Sequence, residues 1–407
     1  MNAIILARVL GAGGYGAFAN AMAWVSLLTI PATFGFGILL VRDTAIYRSQ
    51  GKWALLKGLL RFSDRFVLVL SVVLALIAAG VAGWMFSSPA QTMMRHTVWI
   101  ALLLLPLFAL YNLRANATRG LEYVVRARFP GMIVRPGLLL VGIASIYLFR
   151  PYQLSAPVAM AVNVGAGAVT LGLGVFFLRR VLPTEVKVAK AEYAPRPWVK
   201  AAFPMLVYGG AQIVLGQTDI VMLGAMRGAE EVGLYAAANR LAFLLIYVMM
   251  AAEIIIAPIM ARLYANSEKQ RLQKILTQAV RIAFFSVLPF GMVLIFAGGN
   301  ILTVFGHKFV AARAALAILT VGRLLHVALG PGPLLLSMAG YEKTVAYILS
   351  GAVLGNVTGN AVLIPLYGID GAAIASAVSL ILIRFVLSMY AVLRTGLRVT
   401  VIGAIKA

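Results

Sequence analysis

The stretch that decides the fold is GAGGYGAFA at residues 11–19, because a related stretch, GAEEVGLYA, stands at residues 228–236. Aligned without a gap at an offset of 217, the two halves match at Gly11/Gly228, Gly16/Gly233, Phe18/Tyr235, Ala19/Ala236, Tyr47/Tyr264 and Lys57/Lys274. The motif Gly120-Leu121-Glu122 returns as Gly340-Tyr341-Glu342. Duplicated blocks of apolar helices are a common way to build two lobes around one central site. The repeat therefore predicts a two-lobed protein.

The composition places this repeat in a membrane. Hydrophobic residues make up 62% of the 407 residues and charged residues only 12%, whereas soluble domains carry about 25% charged residues. The chain has no cysteine, which excludes disulfides, thiol catalysis and thiolate metal sites. No phosphate-binding GxxxxGK[ST] motif, paired carboxylates or ligand cluster appears, so we expect neither an enzyme nor a cofactor or metal.

Apolar runs of about 20 residues, the length that spans a bilayer, predict an all-α polytopic protein with eleven complete spans. They lie near residues 17–41, 66–86, 98–118, 132–149, 157–178, 203–226, 234–257, 280–298, 314–338, 345–364 and 371–393. The repeat requires six helices in each half. We therefore expect residues 2–9 to be the end of a first helix that is mostly missing, through a misplaced start, a truncation or divergence.

Basic residues predict the orientation, because cytoplasmic loops of membrane proteins are enriched in Lys and Arg. Most of the 35 Lys and Arg residues fall in alternate segments that we assign to the cytoplasmic side, together with the carboxyl terminus. This placement accounts for most of the net charge of +23 without a nucleic-acid partner. The expected organisation is an N-terminal lobe at residues 1–178, a basic cytoplasmic linker at 179–200, and a C-terminal lobe at 201–407.

Ionisable residues at membrane depth are the candidate functional groups, because their burial in lipid is costly. Asp219 and Arg240 lie at similar depth on consecutive predicted helices and are expected to form an ion pair. Glu253 is level with Arg281, which suggests a second pair; an unpaired Glu253 would instead be a candidate proton carrier. Either pair has a purely structural alternative, a bridge that joins neighbouring helices.

Two arginines, Arg323 and Arg384, have no obvious acidic partner in the sequence, and His326 follows Arg323 by one turn. A guanidinium is permanently charged and its planar fork suits phosphate oxygens. We therefore expect an anionic substrate in a cavity lined by these groups, with snorkelling to the interface as the alternative. The further polar candidates for the cavity are Arg240, Asn239, Gln212 and Gln217.

Three stretches resemble those of a known family. They are ARVLG at 7–11 followed by YGAF at 15–18, VGLYAAANR at 232–240, and IPLYGI at 364–369 followed by GAA at 371–373. In these residues the chain resembles the bacterial polysaccharide transporters, the O-antigen-type flippases of the multidrug/oligosaccharidyl-lipid/polysaccharide exporter superfamily. The motifs mark structural turns, so they indicate the family more specifically than the substrate. The missing first helix departs from the family pattern.

The resemblance implies a two-lobed bundle of twelve or fourteen helices that rocks between inward-open and outward-open states. Its implied cargo is an undecaprenyl-pyrophosphate-linked oligosaccharide, moved across the bacterial cytoplasmic membrane. Membrane lipids and polysaccharide polymerase machinery are the implied partners, and the internal repeat would let a monomer function. Two other interpretations are a drug or cation antiporter, which would require acidic residues such as Asp219 and Glu253 in the cavity, and an inactive truncated paralogue. A membrane glycosyl polymerase fits the twofold repeat less well.

Overall fold

A computed structural model describes residues 2–149, 154–266 and 268–403, all of whose regular structure is helical. The side chains of seven residues within helices are outside the described part: Ala90, Val207, Tyr208, Gln212, Pro258, Ala261 and Ala265. The chain folds into two compact units, Met1–Val221 and Met222–Ala407. We refer to them as the N-terminal and C-terminal units.

The helices of the N-terminal unit follow one another through short turns. They are α1 (Asn2–Thr33), α2 (Phe36–Ser49), α3 (Trp53–Met85), α4 (Thr92–Leu102), α5 (Leu104–Gly120), α6 (Val124–Phe129), α7 (Arg135–Phe149), α8 (Ala156–Val181), the short α9 (Thr184–Val188) and α10 (Pro195–Met226). A π-helical segment, Pro130–Val134, joins α6 to α7. The last residues of α10, from Met222 onward, belong to the C-terminal unit.

The C-terminal unit continues with longer helices. They are α11 (Ala229–Ala265), α12 (Lys269–Phe296), the short α13 (Gly298–Leu302), α14 (Arg313–Ala328), α15 (Gly332–Met338) and α16 (Glu342–Thr395). The 54 residues of α16 would extend about 80 Å at 1.5 Å per residue, far more than one bilayer crossing needs. Gly368, with φ 55° and ψ −129°, breaks α16 into two spans.

The helices agree with the predicted spans. Among the described residues, nine helical segments are long and apolar enough to cross a membrane, or ten when the two parts of α10, which meet at 54°, count as one span. Because α16 holds two predicted spans, each of the eleven falls largely on helical residues, although Leu103, Ala297 and residues 329–331 interrupt three of them. The first differs in its bounds: α1 begins at Asn2, and left-handed Phe34 and Gly35 interrupt the predicted span 17–41.

The repeat is visible in the backbone at its first matched residue. Gly11 has φ 68° and ψ −179°, and Gly228 has φ 92° and ψ −177°. This region of backbone space is essentially open only to glycine. Each glycine lies directly before the helical residues that begin the matched half. The two halves therefore share a local conformation as well as a sequence pattern.

The first part of α10 packs within the N-terminal unit, although the repeat assigns this helix to the second half. Trp198 is 1% exposed, lies 5.7 Å from the ring of Phe62, and donates from Nε1 to the hydroxyl of Tyr47 at 2.9 Å. Further along α10, Asn20 donates from Nδ2 to the carbonyl of Ile220 at 2.9 Å. Buried aromatic area and a buried amide thus hold α10 against the helices of this unit.

The predicted linker is fixed to the membrane helix α3. We call residues 182–194 the linker strap. The Nζ of Lys57 donates to the carbonyls of Lys187 at 2.6 Å and Ala189 at 2.8 Å, and so caps the end of α9. The backbone N–H of Glu192 donates to the carbonyl of Ala54 at 3.0 Å. The linker is therefore a packed part of the N-terminal unit.

A second strap, the tail strap at residues 396–403, follows the last span of the C-terminal unit. Gln273 on α12 exchanges two hydrogen bonds of 2.7 Å with the backbone of Arg398. Arg281 donates to the carbonyls of Val401 and Ile402 at 3.1 and 3.2 Å. Since Lys57 on α3 matches Lys274 on α12 in the repeat, each unit folds its strap over the start of the equivalent helix.

Candidate functional site

The first part of the candidate site is a buried guanidinium in the C-terminal unit. Arg323, on α14, is 8% exposed. Its Nη2 donates to the side-chain oxygen of Asn239 on α11 at 3.3 Å, and its guanidinium carbon lies 5.2 Å from the centre of the Phe243 ring. Asn239 and Phe243 are one helical turn apart, so they present an amide oxygen and a ring face on the same side of α11.

The second part is an ion pair between α11 and α16. Nη1 of Arg384 lies 3.7 Å from Oε1 of Glu253, and both side chains are largely buried. The same Nη1 donates to the carbonyl of Gly330 at 3.3 Å. This carbonyl is available because Gly330, at φ 73°, lies in the break between α14 and α15. The glycine-proline stretch at residues 330–333 thus provides a hydrogen-bond acceptor for an arginine.

His326 lies between these two parts. It is 7% exposed, one turn along α14 from Arg323, and both Arg323 and Arg384 are near enough to interact with it electrostatically. Within the described part of the chain, its Nδ1 is buried and meets no hydrogen-bond partner. Two guanidinium groups therefore flank a buried imidazole.

We call Asn239, Glu253, Arg323, His326 and Arg384 the C-terminal charged cluster. It contains two fixed positive charges and one carboxylate, so its net charge favours an anion. The 3.7 Å separation exceeds a normal hydrogen bond, and Glu253 is therefore a loose partner of Arg384. An incoming phosphate oxygen could replace this carboxylate, because it offers more charge and better fork geometry.

The structure thus brings together four sequence-predicted cavity residues, Arg323, Arg384, His326 and Asn239, and joins Glu253 to them. The partner of Glu253 is Arg384, and not Arg281 as the sequence suggested, because Arg281 is exposed and bonds the tail strap instead. The expectation that Arg384 lacks an acidic partner is wrong for the same reason. Two residues at the same predicted depth in the membrane need not lie on neighbouring helices, so depth alone did not identify the partner of Glu253.

The remaining candidates lie elsewhere. Arg240 is exposed, since it follows Asn239 on α11 and is turned about 100° around the helix from it. Asp219 is 3% exposed in the N-terminal unit, and Gln217 is partly exposed on the same helix. The side chain of Gln212 is outside the described residues. Pairing of Asp219 with Arg240 stays a prediction.

The N-terminal unit contains a further arginine, Arg135, to which sequence reasoning assigned no role. Nε and Nη2 of Arg135 donate to Oδ1 of Asn163 at 3.3 and 3.2 Å. The guanidinium carbon lies 3.9 Å from the centre of the Phe108 ring. The signal was available in the sequence, because an arginine in a long apolar run is unusual.

Metal ligation has no support in the described residues, which contain no group of three or more His, Cys, Asp or Glu side chains that could hold an ion.

Comparison with solved structures identifies the class of fold. An inward-facing multidrug resistance transporter of the MATE family, from the MOP superfamily, aligns over 97% of this chain and 93% of its own, with a TM-score of 0.81 and 15% identity. The lipid II flippase MurJ, in an inward closed conformation, aligns over 96% of this chain and 84% of its own, with a TM-score of 0.74 and 13% identity. The fold is that of the MOP superfamily.

Family models narrow this class. The model described as "Polysaccharide biosynthesis protein" matches residues 1–264, and the MatE model matches residues 204–362. The chain belongs to the polysaccharide biosynthesis protein family, as the sequence motifs indicated. A probable low-salt glycan biosynthesis flippase of Haloferax volcanii is 27% identical over 165 residues, which are 40% of this chain. The match spans about a third of that relative's length (34%).

Proposed function

We propose that the protein is a flippase that moves a lipid-linked oligosaccharide across the membrane by alternating access, with an undecaprenyl-diphosphate carrier. The observation that carries this proposal is the C-terminal charged cluster, in which the buried Arg323 and the largely buried Arg384 lie near His326, and a single carboxylate, Glu253, lies 3.7 Å from Arg384. A diphosphate is the part of such a cargo that most needs cationic partners within a membrane. The probable glycan flippase among the relatives supports the same class of cargo.

The cluster suggests how binding could be reversible. In the empty state, Glu253 offsets part of the charge of Arg384 and the Gly330 carbonyl orients its guanidinium. A diphosphate oxygen that binds Arg384 displaces Glu253, and the carboxylate returns when the cargo leaves. Such an exchange keeps the guanidinium of Arg384 opposite a negative charge at both stages.

Arg384→Gln tests this proposal, with Arg313→Gln as the matched control. Arg313 is an exposed arginine at the start of α14, so its loss should leave the cluster intact. Each variant is reconstituted in liposomes with a fluorescent lipid-linked oligosaccharide, and the fraction reached by an impermeant quencher is followed over time. We expect Arg384→Gln to slow translocation by about tenfold or more, the loss of one charge-assisted contact. Wild-type vesicles that translocate no faster than protein-free vesicles would refute the flippase proposal.

A second candidate, a drug or cation antiporter, is favoured by the MatE match to residues 204–362 and by the presence of Glu253 in the cluster. It predicts that the same vesicles accumulate a lipophilic cation such as ethidium when a proton or sodium gradient is imposed. Glu253→Gln should then abolish accumulation, whereas Arg384→Gln should not. Accumulation without oligosaccharide translocation would favour this candidate.

The setting of the transport is also part of the proposal. We infer a bacterial cytoplasmic membrane from the resemblance to the bacterial polysaccharide transporters, and a cytoplasmic carboxyl terminus from the distribution of Lys and Arg. A monomer that hands its cargo to polysaccharide polymerase machinery is the simplest arrangement, since the repeat provides both lobes within one chain.

A further inference from the structure

The N-terminal unit contains a charged group that the proposed function does not use. Arg135 begins α7 inside the apolar span Val124–Phe149. Eleven residues separate it from the start of this span, which places it about 16 Å along a helix that crosses a core about 30 Å thick. A permanent charge at this depth is costly and is usually retained for a partner or a ligand.

Side chains from three helices surround Arg135. Phe108 on α5 lies under the guanidinium plane, and Asn163 on α8 accepts from its Nε and Nη2. Asn163 is fully buried, and its Nδ2 contacts the sulfurs of Met22 on α1 at 3.3 Å and Met160 at 3.8 Å. The amide is therefore fixed with its oxygen toward the arginine.

The π-helical segment immediately before Arg135 is also held in place. The hydroxyl of Tyr111 on α5 donates to the carbonyl of Ala127 at 3.0 Å and accepts from the backbone N–H of Gly131 at 2.9 Å. Insertions of this type in helices occur frequently at functional sites. The segment that positions Arg135 is thus anchored to the same helix as the ring beneath it.

Across the described residues, no carboxylate forms an ion pair with Arg135, whereas Arg114 in the same unit pairs with Asp64. Asn163 contributes a dipole but no charge, and it occupies only the edge formed by Nε and Nη2. In that same part of the chain, Nη1 meets no protein acceptor. The Phe108 ring and the Asn163 amide together fix the plane of the Arg135 guanidinium, and the edge that carries Nη1 is available to a ligand.

We propose that Arg135, held by Phe108 and Asn163, is a binding site for a phosphate-class oxyanion within the N-terminal unit. A planar guanidinium with one edge fixed presents the other edge to an anion without further loss of side-chain freedom. The oxyanion belongs to the diphosphate of the cargo or to the headgroup of a membrane phospholipid. The assignment to the cargo diphosphate rests on the proposed function, whereas the assignment to a phospholipid headgroup does not.

The decisive variant is Asn163→Asp, which is nearly isosteric and places a carboxylate against Arg135. An internal anion should occupy the guanidinium and exclude an external one. We expect Asn163→Asp to weaken the binding of inorganic pyrophosphate by about ten- to hundredfold, which corresponds to the free energy of charge-assisted hydrogen bonds. We also expect this variant to unfold at a higher temperature. Arg135→Gln should weaken binding to a similar degree. Arg179→Gln, at the exposed end of α8, is the control and should bind as the wild type does.

Binding is measured on the purified full-length protein in detergent, by titration with pyrophosphate and then with undecaprenyl diphosphate and phosphatidylglycerol. Size-exclusion elution and thermal unfolding confirm that each variant is folded. If Arg135→Gln weakens the binding of undecaprenyl diphosphate but not of phosphatidylglycerol, the site belongs to the cargo. If it weakens the binding of phosphatidylglycerol alone, the site belongs to a membrane lipid. Pyrophosphate affinities that are equal in wild type, Asn163→Asp and Arg135→Gln would overturn the proposal. Because no translocation is measured, this result is separate from failure of the flippase proposal.

Discussion

The two arginines of the C-terminal charged cluster differ in how firmly their present partners are held. Arg323 is held by an amide and a ring, whereas Arg384 faces a carboxylate at 3.7 Å that no short hydrogen bond secures. A loose carboxylate competes with any anion that approaches Arg384. Under the proposed function, Glu253 therefore weakens the binding of an external phosphate to the cluster.

Glu253→Gln removes this competitor while keeping the size of the side chain. We expect the variant to bind inorganic pyrophosphate about tenfold more tightly, since a charge near the site is lost, and to translocate cargo more slowly because release is harder. Titration calorimetry on the purified protein measures the affinity. Glu230→Gln is the control, because Glu230 is exposed and pairs with Lys308 on the same unit. Unchanged or weaker binding by Glu253→Gln would argue against the exchange.

The two matched glycines allow a test of the repeat at single positions. A Cβ at Gly11 or Gly228 would meet no atom within 4 Å, so only the backbone conformation opposes a substitution. Gly11→Ala and Gly228→Ala should each destabilise the protein by about 1–3 kcal/mol. Gly13→Ala is the control, since Gly13 is helical and its surroundings are equally open. Thermal unfolding in detergent that shows the same loss for Gly13→Ala would contradict this explanation.

Sequence reasoning singled out charged residues whose function stays a prediction, and it assigned the partner of Glu253 wrongly. Arg323, His326 and Arg384 were found because charge in an apolar run is conspicuous. The pair between Glu253 and Arg384 was missed because it joins α11 to α16, and periodicity within a helix carries no information on which distant helix is its neighbour. Arg135 was missed because the predicted span began at residue 132, which placed the arginine at an edge instead of at depth.

At the scale of elements, the spans were predictable because length and apolar composition suffice for a membrane helix. The breaks within these spans were harder to predict. The left-handed residues Phe34 and Gly35 break the first predicted span, and the proline Pro31 precedes them by less than one turn. The predicted span 17–41 ran through this point, and the sequence did not indicate a new helix start at Phe36. Such a start depends on packing, here the contact of Phe36 with Phe62 and Phe66.

The linker strap supplies a prediction at this scale. Lys57→Ala removes the two hydrogen bonds that cap α9, and the neighbouring loop should then open more often. We expect trypsin to cleave after Lys187 or Lys190 about tenfold faster than in the wild type, as protection falls with local stability. Arg61→Ala, an exposed change one turn further along α3, is the control. Equal cleavage rates for Lys57→Ala and wild type would show that Lys57 does not secure the strap.

The whole molecule offers a direct test of orientation, because the chain contains no cysteine. Ser88→Cys lies in the exposed turn between α3 and α4, and Val188→Cys lies on the exposed side of the linker strap, 87% exposed as valine. A membrane-impermeant maleimide should label Ser88→Cys in intact cells and Val188→Cys only after permeabilisation. The reverse pattern would invert the orientation inferred from the basic residues.

The two straps also bear on the origin of the chain. The segment that connects the halves and the segment after the last helix occupy equivalent places, each folded over the start of a matched helix. A half-length ancestral unit in which such a strap followed the last helix could be duplicated in frame. The strap of the first copy would become the connector between the halves without a new binding surface.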